Sequence, residues 1–269
     1  MPELITSPAN LRVKSIRKLC ERKERQQTGL FYIEGLRIVT EAVLLNAGIE
    51  YLVNAPDLLV SSFGKELLAS QAVQNLAKVE VSPAVFETFS LKDGPQGIGA
   101  VVRQSWLTLE EISLAPGALW VALDSVADPG NLGTILRTCD AVGATGIVLL
   151  DNATDPYNPT AVRASMGAIF SQKLVKTSSE RFIAWLKSHQ CALIGASGAA
   201  QSNYHRFKYP DPCVLLMGSE RHGLQKGQLD ACDHLVSIPM VGRSDSLNLA
   251  VATAIVLYEI FNQRRVRPL

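Results

Sequence analysis

The sequence lacks several features that mark whole classes of protein. No apolar run approaches the roughly 18 residues of a membrane-spanning helix, since the longest candidate, residues 247–258, contains Asn248 and Thr253. The first residues lack the basic-then-apolar pattern of a secretory signal. The five cysteines are scattered, without a Cys-x-x-Cys pair, which argues against a disulfide framework or a structural zinc site. These absences predict a soluble protein of the reducing cytoplasm.

Common catalytic signatures are also missing. There is no phosphate-binding P-loop, and no Gly-x-Ser-x-Gly turn of a serine hydrolase. No two of the four histidines have the spacing of metal ligands, so we expect no metal site. Residues 195–198 resemble half of a dinucleotide-binding fingerprint, but the third glycine and the later acidic residue are absent.

Charge is nearly balanced, with 26 Lys and Arg against 25 Asp and Glu in 269 residues. Its distribution is uneven, because seven basic residues lie between Asn10 and Gln26 and others near the end of the chain. Such a run is often only the solvated face of a helix, but local clusters also bind phosphates. The basic residues are Arg12, Lys14, Arg17, Lys18, Arg22, Lys23, Arg25, Arg264, Arg265 and Arg267.

The chain divides into two regions with different patterns. Residues 1–103 mix a basic helix over about 9–26, a second helix over 37–46 and short strand-like pieces. Residues 104–117 have no sustained period and predict a linker. From residue 118 to 269, short apolar runs alternate with helical patterns, and each run is apolar at consecutive positions. These runs are 119–123, 146–150, 192–195, 213–217 and 235–238. This pattern predicts an α/β domain whose parallel sheet is covered by helices on both faces.

The first of three motifs in the second region follows a strand that ends at Asp124. A Pro-Gly turn leads to Asn131, which is placed to cap the next helix. The apolar stripe of that helix leaves Arg137 outside, where it can reach a cleft at the carboxyl end of the sheet. An ordinary cap and a solvated arginine are the alternative interpretation.

The second motif is a buried strand that runs through Met217 into Gly218 and then Glu220. Glycine permits a ligand to approach the backbone closely, and ligands bind at the carboxyl ends of strands in open α/β sheets. Taken alone, Glu220 also fits a surface acid after a turn.

The third motif begins at Ile238 and Pro239, where proline interrupts a strand and leaves backbone groups beyond it free for a ligand. Ser246 and Asn248 then open a long apolar helix, in positions where they can serve as plain caps or face a ligand. That helix is apolar nearly all round, which predicts burial in the core or against another protomer.

Together, these three motifs resemble those of the SpoU (TrmH) family of RNA ribose 2′-O-methyltransferases, in order and in spacing. The stretch 162–168 is also similar to the family. Residues 31–41 resemble the ribosomal-protein-like substrate-binding domain that many members carry. Asp128, and Leu249 with Ala250, depart from the commoner family residues, which leaves the subfamily open.

The resemblance implies a deep trefoil knot at the carboxyl end of the parallel sheet, S-adenosylmethionine as cofactor and a homodimer. It implies a cofactor site formed by Met217, Gly218, Ile238, Met240 and Leu247. It implies a catalytic set of Asn131, Arg137, Glu220, Ser246 and Asn248, with Glu220 holding either Arg137 or a loop. For the RNA substrate we expect contacts from Arg12, Lys14, Arg17, Lys18 and Arg163.

The extra basic first domain favours ribosomal RNA over tRNA as the substrate, since a larger RNA offers more phosphates to contact. A non-catalytic RNA-binding protein is a further alternative. A guanidinium, with a pKa above about 12, is a poor base. We therefore expect Arg137 to bind a phosphate and to stabilise the developing alkoxide rather than to take the proton.

Overall fold

The structure, a computed structural model, describes residues 4–91 and 93–266. It divides into two compact units. The first unit consists of Met1–Gln104 with Asp155–Phe170, and the second of Ser105–Thr154 with Ser171–Leu269. Of the basic tail, Arg267 lies outside the described residues.

The elements up to residue 103 alternate irregularly between helix and strand. In chain order they are α1 (Leu11–Lys18), α2 (Arg22–Thr28), β1 (Leu30–Glu34), α3 (Leu36–Leu44), β2 (Ile49–Asn54), α4 (Ser62–Ala69), β3 (Ala77–Glu80), α5 (Pro83–Glu87) and β4 (Ile98–Arg103).

The remaining elements follow the alternation of strand and helix that the sequence predicts, except that three strands follow one another between residues 192 and 217. They are β5 (Leu119–Asp124), α6 (Pro129–Ala141), β6 (Gly146–Leu150), α7 (Pro159–Ser165), β7 (Lys173–Thr177), α8 (Ser179–Ser188), β8 (Ala192–Ala196), β9 (Ser202–Asn203), β10 (Cys213–Met217), α9 (Lys226–Ala231), β11 (His234–Ser237) and α10 (Leu249–Val266).

The first unit is built on a four-stranded sheet in the order β1-β4-β2-β3. Strand β4 is antiparallel to both of its neighbours, and β2 and β3 are parallel. One core cluster includes Val13 and Ile16 of α1 and Phe86 and Phe89 from α5 and its carboxyl end. Phe31 packs against Tyr157, with ring centroids 4.6 Å apart.

The predicted single basic helix is two helices, α1 and α2. The break occurs because the guanidinium of Arg25, only 1% exposed, donates hydrogen bonds to the carbonyl oxygens of Leu19 and Cys20 just after α1. It also forms an ion pair with Asp155 at 2.7 Å. Arg25 is therefore a structural residue, although the sequence counts it in the basic run.

The second unit contains the predicted parallel sheet, which is confirmed. Its seven strands have the order β7-β6-β5-β10-β8-β11-β9, and every pair of neighbours is parallel. Strands β5, β6 and β10 are buried along their whole length, as their continuous apolar runs require. Because the strands are parallel, the carboxyl ends of β5, β10 and β8 lie at the same edge of the sheet.

The unit boundaries differ from those expected from the sequence. Residues 155–170 group with the first unit, and residues 105–117 of the segment expected to be a linker group with the second. Within that segment the Leu107 amide donates to the Leu174 carbonyl oxygen, and Leu109 is 2% exposed in the core. A short segment without a period can still be held by distant strands, and local pattern does not reveal this.

Candidate functional site

The three motifs of the second unit meet in a chain of side-chain hydrogen bonds. The amide nitrogen of Asn131 donates to Oε1 of Glu220 at 3.0 Å. The amide oxygen of Asn131 accepts a hydrogen bond from Nδ2 of Asn248, also at 3.0 Å. Partners on both sides fix the orientation of the Asn131 amide. Three positions far apart in the chain therefore occupy one site.

Glu220 holds the loop that precedes α6. Its carboxylate accepts from the backbone amides of Ala127, at 2.8 Å, and Asp128, at 3.2 Å, as well as from Asn131. A carboxylate near the first turn of a helix is stabilised by the free amides there and by the helix dipole. Of the two tasks expected for Glu220, these contacts match the holding of a loop.

The cap of α6 is Asp128, not Asn131 as the sequence predicts. Oδ1 of Asp128 accepts from the backbone amides of Gly130, at 2.5 Å, and Asn131, at 3.0 Å. Pro129 occupies the first helical position, which suits proline because no amide partner is needed there. Asn131 therefore lies inside the first turn, and its side chain is free to join Glu220 to Asn248.

Asn248 itself caps α10. Its side-chain oxygen accepts from the backbone amides of Ala250, at 2.9 Å, and Val251, at 3.3 Å. The other end of the same amide reaches Asn131. The cap of α10 and the first turn of α6 are thus linked directly. Ser246, the alternative cap, instead donates to the neighbouring carboxylate of Asp245 at 3.2 Å.

Gly218 permits the turn that brings Glu220 to this site. A Cβ on Gly218 would overlap the carbonyl carbon of Gly223 and the backbone nitrogen of Leu224. Ser219 and Gly223 exchange backbone hydrogen bonds of 3.2 and 2.9 Å. The chain folds back so closely that only glycine fits directly after β10.

The residues expected at the cofactor site differ in exposure. Met217 and Gly218 are buried at the end of β10, and Ile238 is half-buried just after β11. Met240 and Leu247 are each 38% exposed. Within the described chain, the backbone amides of residues 238–247 donate no hydrogen bond. This segment therefore offers unpaired backbone groups and apolar side chains together, as the break at Pro239 predicts.

Arg137 lies on α6, about 9 Å along the axis from Asn131 at about 1.5 Å per residue. Its side chain is exposed and makes no hydrogen bond or ion pair with residues 4–91 and 93–266. The structure thus connects Glu220, Asn131 and Asn248 directly through hydrogen bonds. Neither Arg137 nor Ser246 forms a side-chain hydrogen bond with any of these three residues. The neighbouring thiol of Cys139 is fully buried, and burial raises its pKa.

The residues expected to contact RNA lie in the first unit. Arg12, Lys14 and Lys18 are exposed on α1, whereas Val13 and Ile16 of the same helix are buried. The guanidinium of Arg17 donates to the carbonyl oxygen of Pro8 at 2.8 Å. An RNA-binding surface on α1 and a merely solvated helix face would both have this exposure pattern.

Two further basic residues have different surroundings. Arg163 is exposed on α7 of the first unit. In the second unit, Arg264 of the basic tail pairs with Asp211 at 3.0 Å and donates to the carbonyl oxygens of Gly117 and Ala118. Arg264 is therefore engaged in holding α10 in place.

Sequence reasoning assigns no role of their own to two contributors to these surfaces. Asp128 stands out in the sequence only as a departure from a family pattern, although aspartate before Pro-Gly is a strong signal for a helix cap. Arg37 follows Gly35 and Leu36 and is exposed at the start of α3. Gly35 has a φ of 112°, a conformation that favours glycine, so the glycine itself was the available sequence signal there.

The described residues form neither a metal site nor a membrane span. No group of three or more His, Cys, Asp and Glu side chains is arranged to hold a metal ion there. Within the same ranges, no helix combines the length and the hydropathy needed to cross a membrane.

Two known domain families match the chain. Residues 118–258 match the SpoU rRNA Methylase family, and residues 10–100 match the MRM3-like substrate binding domain. The two matched ranges lie on either side of residues 104–117.

Characterised relatives cover nearly the whole chain. The 23S rRNA (uridine(2479)-2′-O)-methyltransferase of Streptomyces viridochromogenes is 31% identical, over 91% of this chain and 87% of its own. The 23S rRNA (guanosine(2553)-2′-O)-methyltransferase RlmP of Bacillus subtilis is 30% identical, over 95% and 98%.

A solved structure extends the likeness to three dimensions. The AdoMet-bound rRNA methyltransferase from Sinorhizobium meliloti has a TM-score of 0.88 and 37% identity, covering 99% of each chain. With the three motifs joined at one edge of a parallel sheet, these matches lead to one conclusion: the chain is a member of the SpoU rRNA methylase family.

Proposed function

We propose that this protein transfers a methyl group from S-adenosylmethionine to a ribose 2′-hydroxyl of ribosomal RNA. The observation that carries the proposal is the hydrogen-bonded chain from Glu220 through Asn131 to Asn248. It joins three loops at the edge where parallel sheets bind ligands. The family membership of the chain supplies the reaction class.

The segments around the sheet edge fit the cofactor. Adenosine needs apolar walls and backbone hydrogen-bonding groups, and residues 238–247 offer both. Met217 and Gly218 contribute the buried end of β10. We assign Ile238, Met240 and Leu247 to the same pocket. When bound, S-adenosylmethionine supplies a methyl group on a positively charged sulfur, so the donor needs no further activation by the protein.

The protein's task is to align the 2′-oxygen and to ease the loss of its proton. Alignment of two reactants can contribute about 7–11 kcal/mol to lowering a barrier. In this proposal Arg137 binds an RNA phosphate and stabilises the developing alkoxide. The proton leaves to that phosphate or to water, because a guanidinium is a poor base.

The other polar residues position the substrate and the loops. Asn131, Ser246 and Asn248 orient the ribose, while Glu220 keeps the loop before α6 in place through two backbone amides. No metal ion takes part in this scheme. A ribose 2′-hydroxyl also distinguishes RNA from DNA at the site.

The first unit is assigned to binding the RNA. Arg12, Lys14, Arg17, Lys18 and Arg163 provide the positive charge for phosphate contacts. Ribosomal RNA is favoured over tRNA by this additional unit, and both relatives described above are named for 23S ribosomal RNA. A tRNA substrate and a non-catalytic RNA-binding role are the alternatives that the experiment below distinguishes.

The proposal includes a trefoil knot in the second unit, a homodimer and a cytoplasmic location. Exposed apolar side chains of α10, Val251 at 49% and Tyr258 at 46%, support an interface with a second copy. Five free cysteines suit a reducing compartment. Light scattering of the purified protein would test the homodimer.

The test of the reaction uses S-adenosylmethionine with a tritiated methyl group. Unmodified ribosomal RNA and tRNA, both transcribed in vitro, serve as separate substrates. Ribose 2′-O-methylation blocks alkaline cleavage of the following phosphodiester bond. We therefore expect label from ribosomal RNA in alkali-resistant dinucleotides, whereas a methylated base would appear in mononucleotides. Label in tRNA alone would favour the tRNA substrate. RNA binding without any methyl transfer or S-adenosylmethionine binding would favour the non-catalytic role.

A further inference from the structure

The first unit contains a cavity of ≈ 290 Å³ that the proposed reaction does not use. It lies between the end of β1, the start of α3 and α7. Residues from these elements line it, among them Tyr32, Glu34, Arg37, Thr160, Arg163 and Met166. At about 30 Å³ per water molecule, the volume corresponds to about ten waters. The cavity can accept one planar ring system, but not a helix of RNA or protein.

Two unpaired cations stand at this cavity. Arg37 and Arg163 are exposed, come from different helices of the first unit, and make no ion pair or side-chain hydrogen bond with the described residues. Guanidinium groups bind phosphates through two parallel hydrogen bonds and also stack on aromatic rings. Two guanidinium groups at one opening therefore favour an anionic ligand that carries a ring.

The acidic residue in the wall is held by hydrogen bonds from neighbouring residues. Glu34 is 6% exposed, and its carboxylate accepts hydrogen bonds from Oγ of Ser90 at 2.8 Å and from the Leu91 amide at 2.6 Å. An adjoining concavity that shares Arg163 contains the exposed carboxylates of Glu87 and Asp93. Arg163 therefore lines both concavities, whereas Arg37 lines only the cavity proposed here.

The rim of the cavity includes a strained backbone. Met166 has a φ of 53° and is 37% exposed. The left-handed conformation costs a residue with a side chain roughly 1–2 kcal/mol. The turn is fixed by Gly167, where a Cβ would lie only 2.8 Å from Cγ of Glu41 on α3. This left-handed residue ends α7, and it presents a polarisable thioether at the opening.

From these observations we propose that the cavity binds a single unstacked nucleotide of the RNA substrate. The base enters beside Thr160 and Met166, and the flanking phosphates pair with Arg37 and Arg163. Sequence-specific RNA recognition uses such splayed bases, because the edges of paired bases are hard to reach in an RNA helix. This inference rests on the proposed function, since it takes RNA to be the substrate, and it adds a second recognition point to the reaction site.

The experiment measures binding and methylation of unmodified large-subunit ribosomal RNA transcribed in vitro. The variants are Arg37→Ala, Arg163→Ala and Thr160→Trp, the last of which fills the opening from an exposed position without changing charge. Arg103→Ala and Gln71→Trp are the matched controls. Arg103 pairs with Leu30 at the opposite end of β1 from Glu34, and its guanidinium pairs with Glu50.

We expect each arginine variant to raise the KM for RNA about tenfold. Each should also reduce the slope of log K against log salt by about one, as the loss of one phosphate contact requires. Thr160→Trp should raise KM with the salt slope unchanged, because it removes the base pocket and no charge. Both controls should match the wild type, and S-adenosylmethionine binding, measured by calorimetry, should be unchanged throughout.

Variants with the wild-type KM and salt slope would overturn the inference while leaving the proposed function intact. If the wild type transfers no methyl group to any RNA, the proposed function fails. In that case filter binding of the same RNA judges the inference alone: weaker binding by all three variants supports it, and unchanged binding overturns it. Circular dichroism checks that Thr160→Trp is folded, and the two arginine variants carry the test if it is not.

Discussion

Asn131 and Glu220 are 89 positions apart in the chain, yet their side chains are joined by a 3.0 Å hydrogen bond from amide nitrogen to carboxylate oxygen. The same carboxylate accepts from two backbone amides ahead of α6 (Pro129–Ala141). The donor and acceptor roles are therefore set: residue 131 must donate and residue 220 must accept. This relationship can be reversed by mutation.

The first prediction exchanges these two roles. Asn131→Asp should lower kcat for methyl transfer at neutral pH by at least tenfold, because two carboxylates would face each other at hydrogen-bonding distance. Activity should partly recover as the pH falls and the pair takes up a shared proton. Adding Glu220→Gln should also recover activity, since the amide introduced at position 220 then donates to the carboxylate at position 131. A double variant no better than the product of the two single variants would contradict the paired roles.

The second prediction concerns Arg137. Arg137→Ala should reduce kcat by about 10²–10³, as expected for the loss of a group that stabilises developing charge. Arg137→Lys keeps the charge but loses the planar pair of donors, so it should recover only part of the rate. The midpoint of urea unfolding should not change, because the side chain is exposed. Wild-type turnover by Arg137→Lys, in a single-turnover assay with tritiated cofactor, would rule out the bidentate role.

A third test compares two glycines, Gly218 in the turn after β10 and Gly227 in the following helix, α9. Gly218→Ala should lower the free energy of unfolding by about 1–3 kcal/mol and reduce methyl transfer, because its Cβ would meet the backbone at Gly223. Gly227 is helical, and a Cβ there would meet nothing within 4 Å. Gly227→Ala should therefore stabilise the protein by about 0.5–1 kcal/mol. Equal stability of the two variants in urea would show that the turn has room to adjust.

The buried ion pair of the first unit gives a fourth prediction. Asp155→Ala leaves the guanidinium of Arg25 buried without its 2.7 Å partner, which should cost about 3–5 kcal/mol in unfolding free energy. Arg22→Ala, at an exposed position of α2, the helix that carries Arg25, should change the unfolding free energy by less than about 0.5 kcal/mol. Urea titrations followed by circular dichroism measure both. A small effect of Asp155→Ala would mean that water reaches the guanidinium.

The fifth prediction is a pH dependence of thiol alkylation. Burial raises the pKa of the Cys213 and Cys232 thiols to about 11, and the nearby Asp233 carboxylate adds to the shift at Cys232. Only the thiolate reacts. The alkylation rate of the half-buried Cys232 should therefore rise about a hundredfold between about pH 8 and pH 10.

Cys20, which is exposed, and Cys139, which is buried, frame that measurement. At about pH 8, peptide mass spectrometry should find iodoacetamide on Cys20 first and on Cys139 only after unfolding in urea. Alkylation of native Cys139 as fast as Cys20 would show that α6 opens.

Strands with continuous apolar runs are predicted well by the sequence. The run 119–123 corresponds to Leu119–Asp124, and 213–217 corresponds to Cys213–Met217. The strand Lys173–Thr177 is missed because only two of its residues are buried. It is an outermost strand of the sheet. An outermost strand has less apolar surface to cover, so its hydrophobic pattern is weak. Burial on both faces is therefore the property that makes strands predictable.

The site is predicted in part for a similar reason. Motifs identify the residue types at 131, 220 and 248, but they assign the cap of α6 to Asn131 instead of Asp128. Either residue can accept hydrogen bonds from a helix start. The choice depends on where Glu220 arrives from another part of the chain, and no local pattern contains that information.

The amino-acid sequence alone determined the alternation of strand and helix, the parallel sheet and the three motifs, because each depends on burial and backbone preferences within a few residues. Tertiary structure decided which of those residues meet. It placed Asn248 against Asn131, 117 positions away, and grouped residues 155–170 with the first unit. Contacts of that range follow from the path of the whole chain through its sheets, whereas periodicity records only which side of each element is buried.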